Sequence, residues 1–229
     1  QNLSRKRVEL LRNAIAEAET MLTLREDGIH PNIVAIREVA FLRNVSSALP
    51  EEFKENLFIF MDFVQGQTLF EYAFRGKNKP LESLAFVLRD VALGLLHLEK
   101  KNITVRDLKP GNVLVEVEGD RPRGKLADFG DGKTPKYASR EMMYGSEGAD
   151  ETAHVWTFGT TLLGMVCGFR DWSNYEGAVM QLDMALKRKI RNDLHRNLLD
   201  LCARCMQLNP SGRCSMNEVY ETLSRTLTV

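Results

Sequence analysis

The sequence predicts an α+β fold, in which a helix and a few strands are followed by a mainly helical half. Apolar residues recur at helical spacing over 5–26 and give way to strand-like apolar runs, whereas every periodic segment after about residue 151 is helical. A chain of 229 residues is long enough for one large domain or two small lobes. Because Gly66 follows the last apolar run of the first part, we place a hinge there and predict two units, 1–65 and 66–229.

The first part is predicted to alternate strands and short connections. His-Pro-Asn at 30–32 indicates a turn, and the run rich in β-branched residues at 33–42 indicates a strand. The apolar run NLFIFMDFV at 56–64 indicates a buried strand, after which QTLFEYAF begins a short helix. A long helix is predicted over 80–102, because Pro80 suits a first turn and the following apolar residues recur at intervals of three and four.

The second part is predicted to contain one hairpin and then only helices. Two short strands are expected around 113–117 and 124–127, because Gly-Asp-Arg-Pro between them is a turn signal. Amphipathic spacing predicts the remaining helices at 152–168, 174–188, 193–207 and 215–227.

Composition excludes several classes of function. The formal net charge is zero, so no overall field favours nucleic acid or an anionic membrane. The apolar runs are too short to cross a bilayer, and the first residues lack the apolar core of a signal peptide. We therefore expect a soluble protein, cytoplasmic by default or secreted if a leader has been removed. The cysteines, expected to be reduced core thiols, are Cys167, Cys202, Cys205 and Cys214.

Three short motifs carry the chemistry. VRDLKPGN covers 105–112, DFG covers 128–130, and ASRE covers 138–141. In this order they resemble the protein kinase family, whose motifs are H-R-D-L-x-x-x-N, D-F-G and A-P-E. The resemblance covers most of the chain. It implies a two-lobed protein-kinase-like fold, with a reduced sheet in the N-lobe and a mainly helical C-lobe.

The resemblance assigns roles in phosphoryl transfer, a reaction that depends on positioning and charge neutralisation. Asp107 would accept the proton of a substrate hydroxyl or orient that hydroxyl, and Lys109 would neutralise the moving γ-phosphoryl group. Asn112 and Asp128 would hold Mg²⁺ through oxygen atoms, which this hard cation prefers. The implied cofactors are therefore ATP and Mg²⁺.

The resemblance also places a nucleotide beside the hinge. The backbone near Asp62, Phe63 and Val64 would hydrogen-bond adenine, and Leu114 and Ala127 would form part of its apolar floor. Further along the chain, a Glu141–Arg213 ion pair would tie the activation segment to the helical lobe.

Some motifs of the family are missing or changed. No G-x-G-x-x-G loop and no V-A-I-K strand precede residue 30. Glu19, with Glu17 as the alternative, occupies the place of the regulatory-helix glutamate, but no lysine partner for it is evident in the sequence. Only 13 positions (141 − 128) separate Asp128 from Glu141, so either the activation segment is reduced or some of its residues are absent from this sequence.

Two further changes are expected to be coupled. Val105 replaces the motif histidine, and His154 replaces the aspartate that anchors the backbone of the His-Arg pair in the family. We expect a neutral His154 to accept one backbone N–H group. On that reasoning a double variant, Val105→His with His154→Asp, should lose little stability.

Two functions remain open. The first is an atypical protein kinase that transfers the γ-phosphoryl group of Mg-ATP to a protein Ser/Thr hydroxyl; the second is a pseudokinase that acts as a protein-binding scaffold or allosteric regulator. Retention of the four catalytic-type residues favours the first. A third interpretation is that N-lobe strands belong to a longer protein or are supplied by a partner. Residues 1–26 or a partner chain are expected to cover the N-lobe sheet, because unpaired strand edges attract other chains.

Overall fold

The computed structural model describes residues 15, 18–20, 22–24, 28–43, 55–75, 79–119, 121–128, 134–145, 152–168, 172–190 and 192–227. In this part of the chain the strands are β1 (Ile36–Arg43), β2 (Glu55–Met61), β3 (Gly66–Thr68), β4 (Val113–Glu118) and β5 (Arg121–Leu126). The helices are α1 (Leu69–Phe74), α2 (Leu81–Glu99), α3 (Arg140–Tyr144), α4 (Ala153–Cys167), α5 (Tyr175–Leu186), α6 (Asp193–Cys205) and α7 (Met216–Thr226).

The strands form two separate antiparallel sheets. β1 pairs with β2, with Val39 opposite Ile59. In the second sheet β4 lies between β3 and β5, so that Val115 is opposite Gln67 on one side and Gly124 on the other. Strand β3, which follows residues 62–64, is therefore paired directly with β4, which follows the loop at 103–112.

The segment ahead of β1 attaches the first sheet to the second. Leu126 donates its amide to the carbonyl of Asn32 at 2.9 Å, and its carbonyl accepts the amide of Val34 at 2.8 Å. The Asn32 side chain is buried and donates to the carbonyl of Gly124 at 3.0 Å. Because a buried amide needs hydrogen-bond partners, the Asn32 side chain fixes the position of the segment before β1 against β5.

Helix α2 is the central support of the described structure. Its apolar side chains at intervals of three and four are fully buried, so one long face lies in the core. Helix α4 is enclosed on nearly every side, with Trp156 and Phe158 among its fully buried residues. Side-chain caps fix the starts of the surrounding helices, and those caps are Thr68, Ser139, Asn174, Asn192 and Ser215.

The predicted fold class is confirmed, and the strands and helices predicted between residues 33 and 227 lie within a few residues of their expected bounds. The strand expected from residue 33 begins at Ile36, because Ile33 forms only an isolated bridge to Leu126. The strand expected over 56–64 ends at Met61, which leaves 62–64 as an irregular connection.

The predicted N-terminal helix falls partly outside the described residues. Residues 18–20 and 22–24 are helical, and Leu24 is buried in the same core cluster as Ile36 of β1. Residues 1–14 lie outside the described part, so the expected cover of the first sheet by residues 1–26 stays a prediction. None of the described helices is long and apolar enough to cross a membrane.

Candidate functional site

The catalytic-type loop, residues 103–112, connects α2 to β4 and is fixed from beneath by apolar side chains. Val105 and Leu108 are buried, and the loop ends in a 3-10 turn at Pro110–Asn112. The Asn112 side-chain amide donates to the carbonyl of Asp107 at 3.0 Å. This bond spans the loop, so the backbone carrying Asp107 is held in one conformation.

Asp107, Lys109 and Thr134 form the polar centre of the site. Lys109 Nζ donates to Asp107 Oδ2 at 2.5 Å and to Thr134 Oγ1 at 3.0 Å. The Thr134 amide donates to the other carboxylate oxygen of Asp107 at 2.9 Å. The Asp107 side chain is about 10% exposed, so its charge is compensated largely by these donors and little by water.

Thr134 was not singled out as a site residue from the sequence, where it was one of several hydroxyls in the activation segment. Its amide and its hydroxyl are both bound to the catalytic-type loop. A Thr-Pro pair that precedes a buried tyrosine was the only local signal for it, and such a pair also occurs in ordinary turns.

The two predicted metal ligands are brought near each other by the backbone. The amide of Ala127, the residue before Asp128, donates to the carbonyl of Asn112 at 3.0 Å. Asn112 Oδ1 accepts no hydrogen bond from the residues that the structure describes, although the side chain is buried. An amide oxygen and a carboxylate suit Mg²⁺, which takes one or two protein ligands and completes its shell with water and phosphate.

The described residues contain no cluster of three or more His, Cys, Asp or Glu side chains that could hold a metal ion without substrate. A site with Asn112 and Asp128 as its only protein ligands would therefore rely on phosphate oxygens. The donor set fits a cation that arrives together with a nucleotide.

The predicted adenine-binding residues lie in the connection between the two sheets. The Asp62 amide is already bonded to the carbonyl of Ala35 at 2.8 Å, and the Asp62 side chain pairs with Arg37. No backbone hydrogen bond joins Val64 to another described residue, and the Phe63 side chain is 89% exposed. Apart from the Asp62 amide, the backbone groups of residues 62–64 make no hydrogen bond to a described residue, so several of them, including the Asp62 carbonyl and the Val64 amide, could bind a ligand.

The other nucleotide residues differ in exposure. Leu114 on β4 and Ala127 after β5 are half-buried, and their assignment to the adenine floor stays a prediction. Glu19 is exposed and forms no ion pair with a described residue. Its assignment from the family motif remains a prediction.

The predicted ion pair between Glu141 and Arg213 is present. Arg213 Nη1 donates to Glu141 Oε1 at 2.6 Å, and Arg213 Nε donates to the carbonyl of Gln207 at 3.0 Å. The Arg213 side chain is fully buried, whereas 23% of Glu141 is exposed. The guanidinium also lies over the Trp156 ring, 5.1 Å from its centre.

Glu141 is ionised more readily than an isolated glutamate. Burial opposes its charge, but hydrogen bonds from Arg213 and Ser139 outweigh burial and hold the pKa of Glu141 below its ordinary value. Ser139 also caps α3 by accepting the amide of Met142 at 3.3 Å. The end of the activation segment is therefore fixed by charge and by a helix cap together.

A second set of contacts fixes the same segment to the helical core. Trp172 Nε1 donates to the carbonyl of Lys136 at 2.9 Å, and Thr160 Oγ1 on α4 donates to the carbonyl of Tyr137 at 3.3 Å. Tyr137 is buried, and burial together with the charge of Asp107 raises the pKa of its phenol far above the usual range. It therefore stays neutral.

The expectation for His154 was wrong. His154 Nε2 lies 2.5 Å from Glu99 Oε1 at the end of α2, a side-chain contact and not a bond to a backbone amide. His154 Nδ1 is buried without a hydrogen-bond partner among the described residues. A carboxylate at 154 would therefore face Glu99 directly, so the Val105→His and His154→Asp double variant cannot be neutral as proposed from the sequence.

A loop of this kind, followed by a segment that is anchored through a Glu–Arg pair, is typical of a protein kinase site. The family model for the protein kinase domain matches residues 2–223, and the chain belongs to the protein kinase family.

Similar proteins include serine/threonine kinases from distant organisms. A probable serine/threonine-protein kinase of Dictyostelium discoideum is 27% identical over 212 residues, 84% of this chain and 23% of that protein. The mitogen-activated protein kinase kinase kinase YODA of Arabidopsis thaliana is 27% identical over 183 residues, 71% of this chain and 20% of that protein. Serine/threonine-protein kinase DCLK3 of Homo sapiens is 27% identical over 224 residues, 87% of this chain and 33% of that protein. The chain thus spans only a fifth to a third of these relatives.

Proposed function

We propose that the protein is an atypical serine/threonine protein kinase, which transfers the γ-phosphoryl group of Mg-ATP to a protein hydroxyl. The observation that carries the proposal is the bonding of Asp107 to Lys109 and Thr134. In phosphoryl transfer the protein supplies position and charge, and these three residues present a carboxylate and an ammonium group side by side.

In the proposed reaction, Asp107 orients the substrate hydroxyl and receives its proton as the bond to phosphorus forms. Lys109 donates hydrogen bonds to both Asp107 and Thr134. These bonds would hold its ammonium group beside the γ-phosphoryl group during transfer. Asn112 and Asp128 would bind Mg²⁺, which neutralises the β- and γ-phosphates when bound. The Asp62 carbonyl and the Val64 amide would hold the adenine edge.

For the chain 1–229 we expect the affinity for Mg-ATP to fall steeply when either metal ligand, Asn112 or Asp128, is replaced, because the metal ion would neutralise the phosphates.

A pseudokinase acting as a protein-binding scaffold is the second candidate, and the exposed aromatic surface near the hinge favours it. Phe60, Phe63, Phe70 and Phe74 are all substantially exposed on adjoining parts of β2, the hinge and α1. Soluble proteins seldom expose several large apolar side chains so close in sequence unless a partner covers them.

Calorimetric titration with ATP, with and without Mg²⁺, separates the candidates at the level of binding. We expect micromolar Mg²⁺-dependent binding that is lost in Asp128→Ala and kept in Asp183→Asn. Asp183 is the matched control because it is an exposed carboxylate on α5, paired only with Lys187 on its own helix. No binding at millimolar ATP would favour the scaffold.

Phosphotransfer to serine- and threonine-containing peptide libraries then tests the reaction itself. Asp107→Asn should bind Mg-ATP like the unaltered protein and lose transfer by about 100-fold or more. Transfer that survives this substitution unchanged would refute the assignment of Asp107. Binding without any transfer, in the unaltered full-length protein, would support the pseudokinase.

A further inference from the structure

Two thiols lie in contact at the junction between α6 and α7. Cys205 ends α6, Cys214 lies nine positions later, and their sulfur atoms are 3.6 Å apart. Both are free cysteines. The proposed function makes no use of them.

The backbone around the pair already has the shape of a closed loop. The Cys214 amide donates to the carbonyl of Arg204, the residue before Cys205, at 3.3 Å. Inside the loop, Gly212 and Arg213 donate their amides to the carbonyls of Asn209 and Pro210 at 3.0 and 3.1 Å. A disulfide needs its two backbones to be close, and here hydrogen bonds hold them close before any covalent link exists.

The position of Cys205 is fixed by packing against α4. A methyl group added to Gly159 would lie 2.7 Å from the Cys205 β-carbon, so the two helices approach each other too closely for a side chain between them. Because the Cys205 β-carbon has no room to move towards α4, its sulfur is held on the Cys214 side. With the sulfur atoms 3.6 Å apart, an approach of about 1.5 Å would bring them to the S–S bond length of about 2.05 Å.

The two thiols differ in access and in acidity. Cys205 is fully buried, whereas Cys214 keeps 7% of its surface exposed. The hydrogen bond with Cys205, helped by the charge of Arg204, lowers the pKa of Cys214 despite partial burial. The same hydrogen bond and complete burial raise the pKa of Cys205. Cys214 is thus the thiol that is reached first and ionises first, as a redox-active cysteine requires.

From this geometry we infer that Cys205 and Cys214 form an oxidisable dithiol, which a hydroperoxide converts to an intramolecular disulfide. The Cys214 thiolate attacks the terminal peroxide oxygen and becomes a sulfenic acid. The peroxide O–O bond breaks, and the other oxygen takes up a proton and leaves as an alcohol or water. The Cys205 thiol then attacks the Cys214 sulfur, forming the S–S bond and releasing water. In total the dithiol loses two hydrogen atoms and the hydroperoxide is reduced.

The link would close the segment that presents Arg213 to Glu141. Arg213 lies inside the loop, directly before Cys214, and its Nε donates to the carbonyl of Gln207 within the same loop. Joining the ends of this loop restricts the unfolded chain more than the folded one. Oxidation should therefore raise the unfolding temperature while leaving the Glu141–Arg213 pair in place.

The experiment treats the intact folded chain with hydrogen peroxide, blocks remaining thiols, and maps disulfide-linked peptides by mass spectrometry. We expect a peptide pair joining Cys205 to Cys214, a mass loss of two hydrogen atoms, and reversal by dithiothreitol. The unfolding temperature should rise by several degrees on oxidation. Accumulation of sulfinic acid at Cys214 without a linked peptide, or a link that joins other cysteines, would overturn the inference.

Two variants complete the test. In Cys214→Ser the linked peptide and the rise in unfolding temperature should both disappear, whereas Cys167→Ser should retain both. Cys167 is the matched control because it is the half-buried thiol outside the pair. Mapping the disulfide-linked peptides of the unaltered chain needs no substitution, so the inference stays testable even if a variant folds poorly. An unfolding temperature that is unchanged after complete linkage would refute the inferred stabilisation.

Discussion

Replacing Arg213 by methionine should be among the most damaging single substitutions in the chain. The guanidinium is fully buried and bonds to Glu141, to the Gln207 carbonyl and, at 3.3 Å, to the Thr152 carbonyl. Methionine preserves much of the apolar stem but leaves the Glu141 carboxylate and two carbonyls without this donor. Breaking a buried ion pair on one side costs about 3–5 kcal/mol.

The expected change in thermal stability follows from that figure. For a domain of this size each kcal/mol lowers the unfolding temperature by about 2–4 °C, so a loss of about 4 kcal/mol corresponds to about 8–16 °C. Differential scanning calorimetry measures the shift directly. Arg204→Met is the matched control, because Arg204 is an exposed arginine in the same region whose pair with Glu218 at 3.3 Å is open to solvent. It should cost less than about 1 kcal/mol.

The pH dependence provides an independent check on the same pair. The pKa of Glu141 is lower in the folded protein than its ordinary value of about 4.5, so its contribution to stability is fully present above that value. This contribution is lost as the pH falls through the folded-state pKa, when the carboxylate takes up a proton. Arg213→Met should therefore reduce the acid sensitivity of unfolding below about pH 4.5. Equal stability of Arg213→Met and Arg204→Met, or identical acid profiles, would refute this account.

Three further changes have defined expectations. Thr134→Val removes the hydroxyl that accepts from the catalytic-loop lysine, so phosphotransfer should fall about tenfold or more in kcat, with KM for ATP little changed. His154→Asp places a carboxylate against Glu99 and should cost about 2 kcal/mol or more in chemical denaturation, whereas adding Glu99→Gln should recover much of the loss. Gly66→Ala puts a methyl group 2.1 Å from the Val115 carbonyl oxygen, so it should cost about 1–3 kcal/mol or more, while Gly111→Ala meets nothing within 4 Å and should be nearly neutral.

The helices were predictable because their patterns are local. α2 and α4–α7 carry apolar residues at helical spacing, and burying that face is what stabilises them. The three-residue strand β3 and the five-residue helix α3 were not predicted. Neither is long enough to show a period, and each depends on a partner distant in sequence, β4 for the strand and the Glu141–Arg213 pair for the helix.

In the candidate site, too, residues within one short motif could be predicted, whereas contacts between distant positions could not. Asp107, Lys109 and Asn112 were found because they lie in one short motif, and the Glu141–Arg213 pair was found from the family pattern. Thr134 was missed because its bonds cross 25 or more positions to the catalytic-type loop. The partner of His154 was missed for a related reason, since Glu99 lies 55 positions earlier, on a different helix.

The shortness of the link between Asp128 and Thr134 limits how this protein can be controlled. Six backbone steps reach at most about 20 Å, and the far end of the link is held by Asp107 and Lys109. A connection this short cannot form a long loop that covers the cleft in one state and leaves it open in another.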